Sequence, residues 1–317
     1  MVEKKLMICR TACAIVLVTI TVAASVACGE KAMLYPVVAA LAIGYWIVDK
    51  HVWCVSRRQF VALLALSSVC GILISSYSPL AKPISITMAF MIAAALLYLF
   101  RSTLMPVIAT CMLPVMLGFV SWMYPLTVII VAAIVVTVQK MMEKAGWRHS
   151  VEYLPHNCRK MELCRWLLLS IFVGLTAYVS SNFNVHYLML PPVVVCFADM
   201  VQSRSGFRQR PFTTTLILLF AISVGTLFQY LHLSFNIPLY ICAPIVFTSL
   251  IAVFMVSGKY FAPAGALSLI PMLLPADAIP TLPLQVMAGV VIFIIIALAI
   301  NCCIPTAVIS DNGERNR

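Results

Sequence analysis

Two stretches combine a base, a proline and small or hydroxyl-bearing residues in a way that could hold an anion. One runs from Lys259 to Pro271 as Lys-Tyr-Phe-Ala-Pro-Ala-Gly-Ala-Leu-Ser-Leu-Ile-Pro. The other runs from Arg101 to Pro114 as Arg-Ser-Thr-Leu-Met-Pro-Val-Ile-Ala-Thr-Cys-Met-Leu-Pro. The first turn of a helix leaves backbone N–H groups unpaired, and the helix dipole adds about half a positive charge there. Proline is best tolerated at that position, so Pro106 and Pro263 predict helix starts. Around them, Arg101 and Lys259 add charge, Ser102, Thr103, Tyr260 and Ser268 add hydroxyls, and Gly265 permits close approach. Two such N-termini facing one another would form an anion site and line a substrate path. The same residues also fit a plainer role, in which the bases flank a membrane and the small residues let helices pack.

The elements that would carry these stretches are membrane helices. The chain has 317 residues, is 63% hydrophobic and 10% charged, and has a mean hydropathy of +1.06. A soluble domain is about 45–50% apolar and about 25% charged. A core alone cannot absorb this excess, so lipid is the expected solvent. The net charge of +11 reads as bases flanking the membrane rather than a nucleic-acid surface, because they collect in alternate loops.

Apolar runs fall at 8–28, 34–49, 59–77, 84–100, 103–119 and 124–140, and again at 163–182, 187–201, 212–231, 237–257, 260–275 and 281–302. The second six repeat the first. Arg10 pairs with Arg165, Pro36 with Pro192, Gly71 with Gly225, Pro83 with Pro238, Pro106 with Pro263, Pro114 with Pro271 and Pro125 with Pro283, at separations of 154 to 158 residues. This predicts an all-α polytopic membrane bundle of about twelve transmembrane helices in two parallel six-helix repeats. The expected organisation is a first repeat over 1–140, a cytoplasmic linker over 141–162, a second repeat over 163–303 and a cytoplasmic tail over 304–317.

With the N-terminus in the cytoplasm, nearly every base falls in a cytoplasmic loop, and the opposite loops hold only Lys31 and Lys82. The expected location is the cell inner membrane, multi-pass, with both termini inside. The run ending Ala-Ala-Ser-Val-Ala-Cys28 resembles a lipoprotein cleavage site, but its repeat partner in mid-chain argues for a helix. The fifth and eleventh runs are short. A helix of about 16 residues covers roughly 24 Å against about 30 Å of hydrocarbon. Such helices need shielding by protein and are expected at the centre.

Other chemistry is sparse. Asp199 could couple or gate transport together with Arg204 and Arg208, or simply end a helix. His186 and His232 read as interfacial, as do Tyr45, Trp46, Trp53, Trp122 and Tyr124 at run ends. The 12 cysteines show no metal or disulfide spacing, and Cys158, Cys164, His149 and His156 fit no zinc ligand set. No phosphate-binding loop, His-Glu-x-x-His or Gly-x-Ser-x-Gly occurs, so neither an enzyme nor a metal or cofactor is expected.

In the second repeat, the loop Ser203-Arg204-Ser205-Gly206-Phe207-Arg208-Gln209-Arg210-Pro211 is followed by two apolar runs and then Phe261-Ala262-Pro263-Ala264-Gly265-Ala266. This resembles the HPP family of membrane proteins, whose motif reads His-Pro-Pro-Ala-Gly-Ala. Pro263 to Ala266 match, while the His and first Pro are replaced. The resemblance implies small-anion transport of the nitrite type. The two-repeat layout is also similar to the membrane half of fusaric-acid-resistance-like exporters of aromatic acids, without their cytoplasmic domain. The expected function is a transporter or channel for a nitrite-like anion or small organic acid. The alternatives are an exporter of aromatic carboxylic acids and a non-transporting membrane scaffold. The expected partners are the lipid bilayer and the anion, without nucleic acid, and a homo-oligomer is compatible with the pattern.

Overall fold

A computed structural model describes residues 2–48, 52–149, 160–202 and 211–303. Arg204, Arg208, residues 150–159 of the 141–162 linker and the 304–317 tail lie outside the described residues. The fold is all-α. Its long helices are α1 (Val2–Cys28), α3 (Arg57–Tyr77), α4 (Lys82–Leu99), α6 (Met123–Lys144), α7 (Lys160–Asn182), α9 (Pro211–Phe235), α10 (Leu239–Ser257) and α12 (Leu282–Cys303). Its short helices are α2 (Val37–Ala42, continued as a π-helical turn over Ile43–Ile47), α5 (Pro106–Leu117), α8 (Pro191–Gln202) and α11 (Ala262–Leu269, continued as a 3-10 turn over Ile270–Leu273).

Among the described residues, eight helices are long and apolar enough to cross a membrane, as expected of a multi-pass membrane protein. Helical segments occur at all twelve expected runs, but the second and eighth are as short as the fifth and eleventh. The reason lies at their starts. The run at 34–49 loses residues 34–36, which follow the 3-10 turn Lys31–Met33, and the run at 187–201 loses its first residues to the 3-10 turn His186–Met189 and Leu190. A 12-residue helix then covers only about 18 Å.

The short helices form the interior and the long ones a surrounding shell. Every residue of Val37–Ile47 is buried, as are Pro106–Val115 and nearly all of α8 and α11. A helix that is apolar all round belongs in such a place. α2 packs on α11, α5 on α8, and the two pairs meet through α2·α5 and α8·α11. The long helices keep one apolar face outward, with Ile8, Val16, Leu66, Ile171, Leu216 and Ile295 exposed. Tyr45, Trp46, Trp53 and Tyr124, expected at the interface, are at most 5% exposed. They fill the space where short helices leave the shell without a neighbour, and Trp122 alone of that set is exposed.

The order long, short, long, long, short, long occurs twice, and the two halves make the same kinds of contact. A Cβ on Gly71 would lie 2.5 Å from the Cys111 carbonyl oxygen and 2.7 Å from Pro114 Cγ. On Gly225 it would lie 2.1 Å from the Ser268 carbonyl oxygen and 3.1 Å from Pro271 Cγ. Only glycine lets α3 reach α5 and α9 reach α11 this closely. Ser75 donates to the Pro114 carbonyl (3.1 Å) and Gln229 to the Leu274 carbonyl (3.5 Å), closing the far end of each short helix. Ser25 bonds the Glu30 carbonyl (2.9 Å), and Ser180 the Val185 carbonyl (2.8 Å).

The halves differ at their second proline. Pro114 lacks an N–H, which leaves the Thr110 carbonyl without its helical donor. The Tyr124 hydroxyl donates to that carbonyl at 2.8 Å, and α5 continues as α-helix to Leu117. Tyr35 and Thr110 hydroxyls lie 2.6 Å apart, and Thr110 Oγ1 donates to the Pro106 carbonyl at 3.0 Å. In the second half Pro191, Leu267 and Leu282 stand at the matching positions. No hydroxyl is present to replace the lost donor, and α11 tightens into 3-10 geometry at Pro271. Tyr124→Phe keeps the ring but orphans a buried carbonyl. It is expected to lower stability by about 1–3 kcal/mol, read as a reduced unfolding midpoint in detergent. An unchanged midpoint would show that Pro114 needs no such compensation.

Candidate functional site

Two clefts lie at opposite ends of the matching short helices α5 and α11. The first, here the N-end cleft, is lined at its base by Pro106 and Ala109 of α5 and by Pro263 and Ala266 of α11. Its walls come from Val37 and Ala40 of α2, Pro192, Val195 and Asp199 of α8, and Trp53, Tyr260 and Phe261. It encloses about 550 Å³ of empty space, open mouth included. The lining is almost wholly apolar, with Asp199 its one carboxylate. That carboxylate is itself engaged by another group.

The second, the C-end cleft, lies beyond Met116 and Leu117 of α5 and beyond Leu273 and Leu274 after α11. It is larger, about 1110 Å³ of empty space including its mouth. Lys31, Lys82, His186, Ser180, Ser181 and Tyr187 bring polar groups to it. No carboxylate is among its lining residues. Burial and the nearby Asp277 push the Tyr187 hydroxyl above its ordinary pKa, so it stays protonated as a donor.

Between the clefts the helices are closed. Thr110–Val115 and Leu267–Met272 are buried throughout. From Ala109 to Met116 is seven residues, a barrier of about 10 Å at the helical rise. The Tyr35–Thr110–Tyr124 hydroxyl cluster lies at this level of α5. Both short helices run the same way, from the N-end cleft to the C-end cleft.

Of the residues expected to line a path, Pro106, Tyr260, Pro263 and Asp199 meet at the N-end cleft. Ser102 and Thr103 do not reach it. The Ser102 hydroxyl accepts from the Leu104 N–H (3.2 Å), and Thr103 Oγ1 accepts from the Cys54 N–H (2.8 Å). Ser102 braces the loop before α5 internally, and Thr103 pins that loop to the segment that carries Trp53. Gly265 is a packing residue, since a Cβ there would meet Ile43 and Ala39 of α2. Ser268 donates to the Gly265 carbonyl at 2.9 Å inside its own helix. Tyr260 lines the cleft with its ring and directs its hydroxyl to Met7 Sδ at 3.3 Å.

The two bases lie elsewhere. Arg101 is exposed, in the left-handed region at φ 49° after α4. Lys259 Nζ donates to Thr213 Oγ1 at 3.3 Å, tying the start of α9 to the loop before α11. Neither lines either cleft. Lys31, Lys82 and His186 are the basic residues that do, and sequence reasoning passed them over as sparse outer-loop charges. Their signal was their position. Most bases collect in the alternate loops at the other end, so the few that stand at this end call for a reason beyond anchoring. The chain matches no family model, no curated protein and no solved structure.

This placement gives an expectation opposite to the one drawn from charge alone. Arg101→Gln combined with Lys259→Gln should leave anion flux in proteoliposomes within about twofold of the parent, because an exposed base and a hydroxyl-bonded base contribute little to a site they do not line. A loss of tenfold or more would return both bases to the path.

Proposed function

We propose that the protein is a membrane transporter for a small anion, moving it along the line between α5 and α11 from one cleft to the other. The observation that supports this best is the pairing of two clefts at the two ends of the same central helices, with only a thin closed stretch between them. A structural scaffold has no need of aligned openings. The closed centre favours a carrier that opens its ends in turn over an open channel.

The parallel course of α5 and α11 supports two parallel six-segment repeats, since an inverted duplication would run matching helices in opposite directions. The bases support placing the N-end cleft in the cytoplasm. Lys140 and Lys144 close α6, Arg57 opens α3 and pairs with Glu143, and Lys259 precedes α11, all at that end. The retained Pro263-Ala264-Gly265-Ala266 of the HPP-like motif agrees with this reading. Pro263 and Ala266 line the path, and Gly265 lets α2 approach.

Asp199 then has a gating role. A carboxylate at the wall of an otherwise apolar cleft is the group there that an arriving anion must pass. The test is uptake of nitrite, formate, chloride and benzoate into proteoliposomes. We expect at least one of them to move, and Asp199→Asn to change its rate. No flux of any anion from folded protein would contradict the transport reading and favour the scaffold.

A further inference from the structure

We infer that the C-end cleft is a binding site for an amphipathic anion, a carboxylate or phosphate carried on an apolar body, held at its charged end by Lys31, Lys82 and His186. The identity of the anion rests on the transport reading only in that the site would then be its entry or exit vestibule. The binding itself does not depend on it.

Three separate elements deliver two ammonium groups and an imidazole. Lys31 opens the 3-10 turn after α1, Lys82 is the first residue of α4, and His186 opens the 3-10 turn after α7. Lys31 and His186 hold matching places in the two halves, 155 residues apart, at the first position of matching turns. Each turn is fixed from below by the matching serine bond, Ser25 to the Glu30 carbonyl and Ser180 to the Val185 carbonyl. The His186 turn is fixed a second time, as the Tyr187 N–H donates to Gln285 Oε1 of α12 at 3.2 Å. These three side chains therefore project from anchored backbone, although their own ends are exposed.

Their ordinary explanations are weak here. None of the three makes an ion pair among the described residues, and the two nearby carboxylates have other neighbours. The Glu30 side chain accepts from the Ala32 N–H at 3.3 Å, and Asp277 acts on Tyr187. The carbonyls at the near ends of α5 and α11 would attract cations, but Ser75 and Gln229 already donate to them. Two ammonium groups and an imidazole lining one cavity favour a ligand with negative oxygens.

The rest of the cleft says what is attached to those oxygens. Its other walls are Met116, Leu117, Phe119, Leu273 and Leu274. A bare inorganic ion would gain nothing from them, whereas a ring or short alkyl chain would bury apolar area there. Two sources share this chemistry, a soluble organic acid and an anionic lipid entering from the bilayer.

The experiment uses the full-length protein in a neutral detergent and reads the unfolding midpoint and binding isotherm with three probes. Benzoate stands for the soluble acid, short-chain phosphatidylglycerol for the lipid, and chloride for a bare ion. The expected result is saturable stabilisation by benzoate or phosphatidylglycerol but not by chloride. Whichever probe binds identifies the source. Lys31→Gln/Lys82→Gln/His186→Gln should weaken that binding at least about tenfold. Lys140→Gln/Lys144→Gln, which removes two charges at the opposite end, should leave it unchanged. Should the triple variant be poorly folded, Leu273→Asp, which places a negative charge in the same wall, should abolish binding in its stead. Absence of binding by both amphiphiles, equal binding by parent and triple variant, or chloride binding as well as benzoate would overturn the proposal. Binding without flux would sink transport and keep the site, and flux with unaltered affinity in the triple variant would do the reverse.

Discussion

A backbone polar group in lipid has no water to turn to, and that constraint shapes this molecule. Four of its apolar segments are too short to cross a bilayer, so non-helical chain must follow them into the interior. Such chain is tolerated only where protein surrounds it. The eight long helices provide that enclosure, and each exposes its other face as an ordinary lipid-facing surface. The short helices are thus held in place by what they lack in length.

Holding them there takes close approach as well as enclosure. Gly71 and Gly225 let a long helix touch the carbonyls of its short neighbour directly. Serine, glutamine and tyrosine side chains then supply the donors that proline and helix ends leave missing. These bonds come from fixed positions on the shell, so the shell sets the depth and angle of α5 and α11. The two clefts follow as a consequence, for they are the spaces at either end of helices that stop short of the surfaces. Their chemistry differs because the surrounding loops differ. One end has an apolar lining around Asp199, and the other is rimmed by Lys31, Lys82 and His186.

The sequence made the architecture legible because apolar run length and proline spacing are local quantities. Every one of the twelve runs became a helical segment, and Pro106 and Pro263 stand at helix starts as expected, while Gly71 and Gly225, matched only as repeat positions, prove to be close-packing sites. The shortness of α2 and α8 was hidden because an extended Leu34 or a 3-10 turn at His186 is as apolar on average as a helix. The burial of Tyr45, Trp46 and Tyr124 was hidden because an aromatic at the end of a run fits an interface or a core equally well. The site was less legible still. Arg101 and Lys259 neighbour the right helices in sequence, yet their side chains turn away. The residues that converge on the larger cleft are spread from Lys31 to Pro275. The scarcity of bases in the loops that hold Lys31 and Lys82 was one hint, and the pairing of Lys31 with His186 across the repeat was another, although it asks the reader to equate two residue types.

The central claim is that substrate passes between the two short helices. Ala109 and Ala266 occupy matching positions on either side of the N-end cleft and nothing polar depends on them. Flux through Ala109→Trp/Ala266→Trp in proteoliposomes therefore probes the path itself. The account predicts that two indoles fill the cleft and reduce flux at least about a hundredfold, that crowding two buried positions lowers the unfolding midpoint, and that benzoate binding at the far end, which reports a folded protein, is retained. Undiminished flux through a folded, plugged protein would mean that the anion travels by another route.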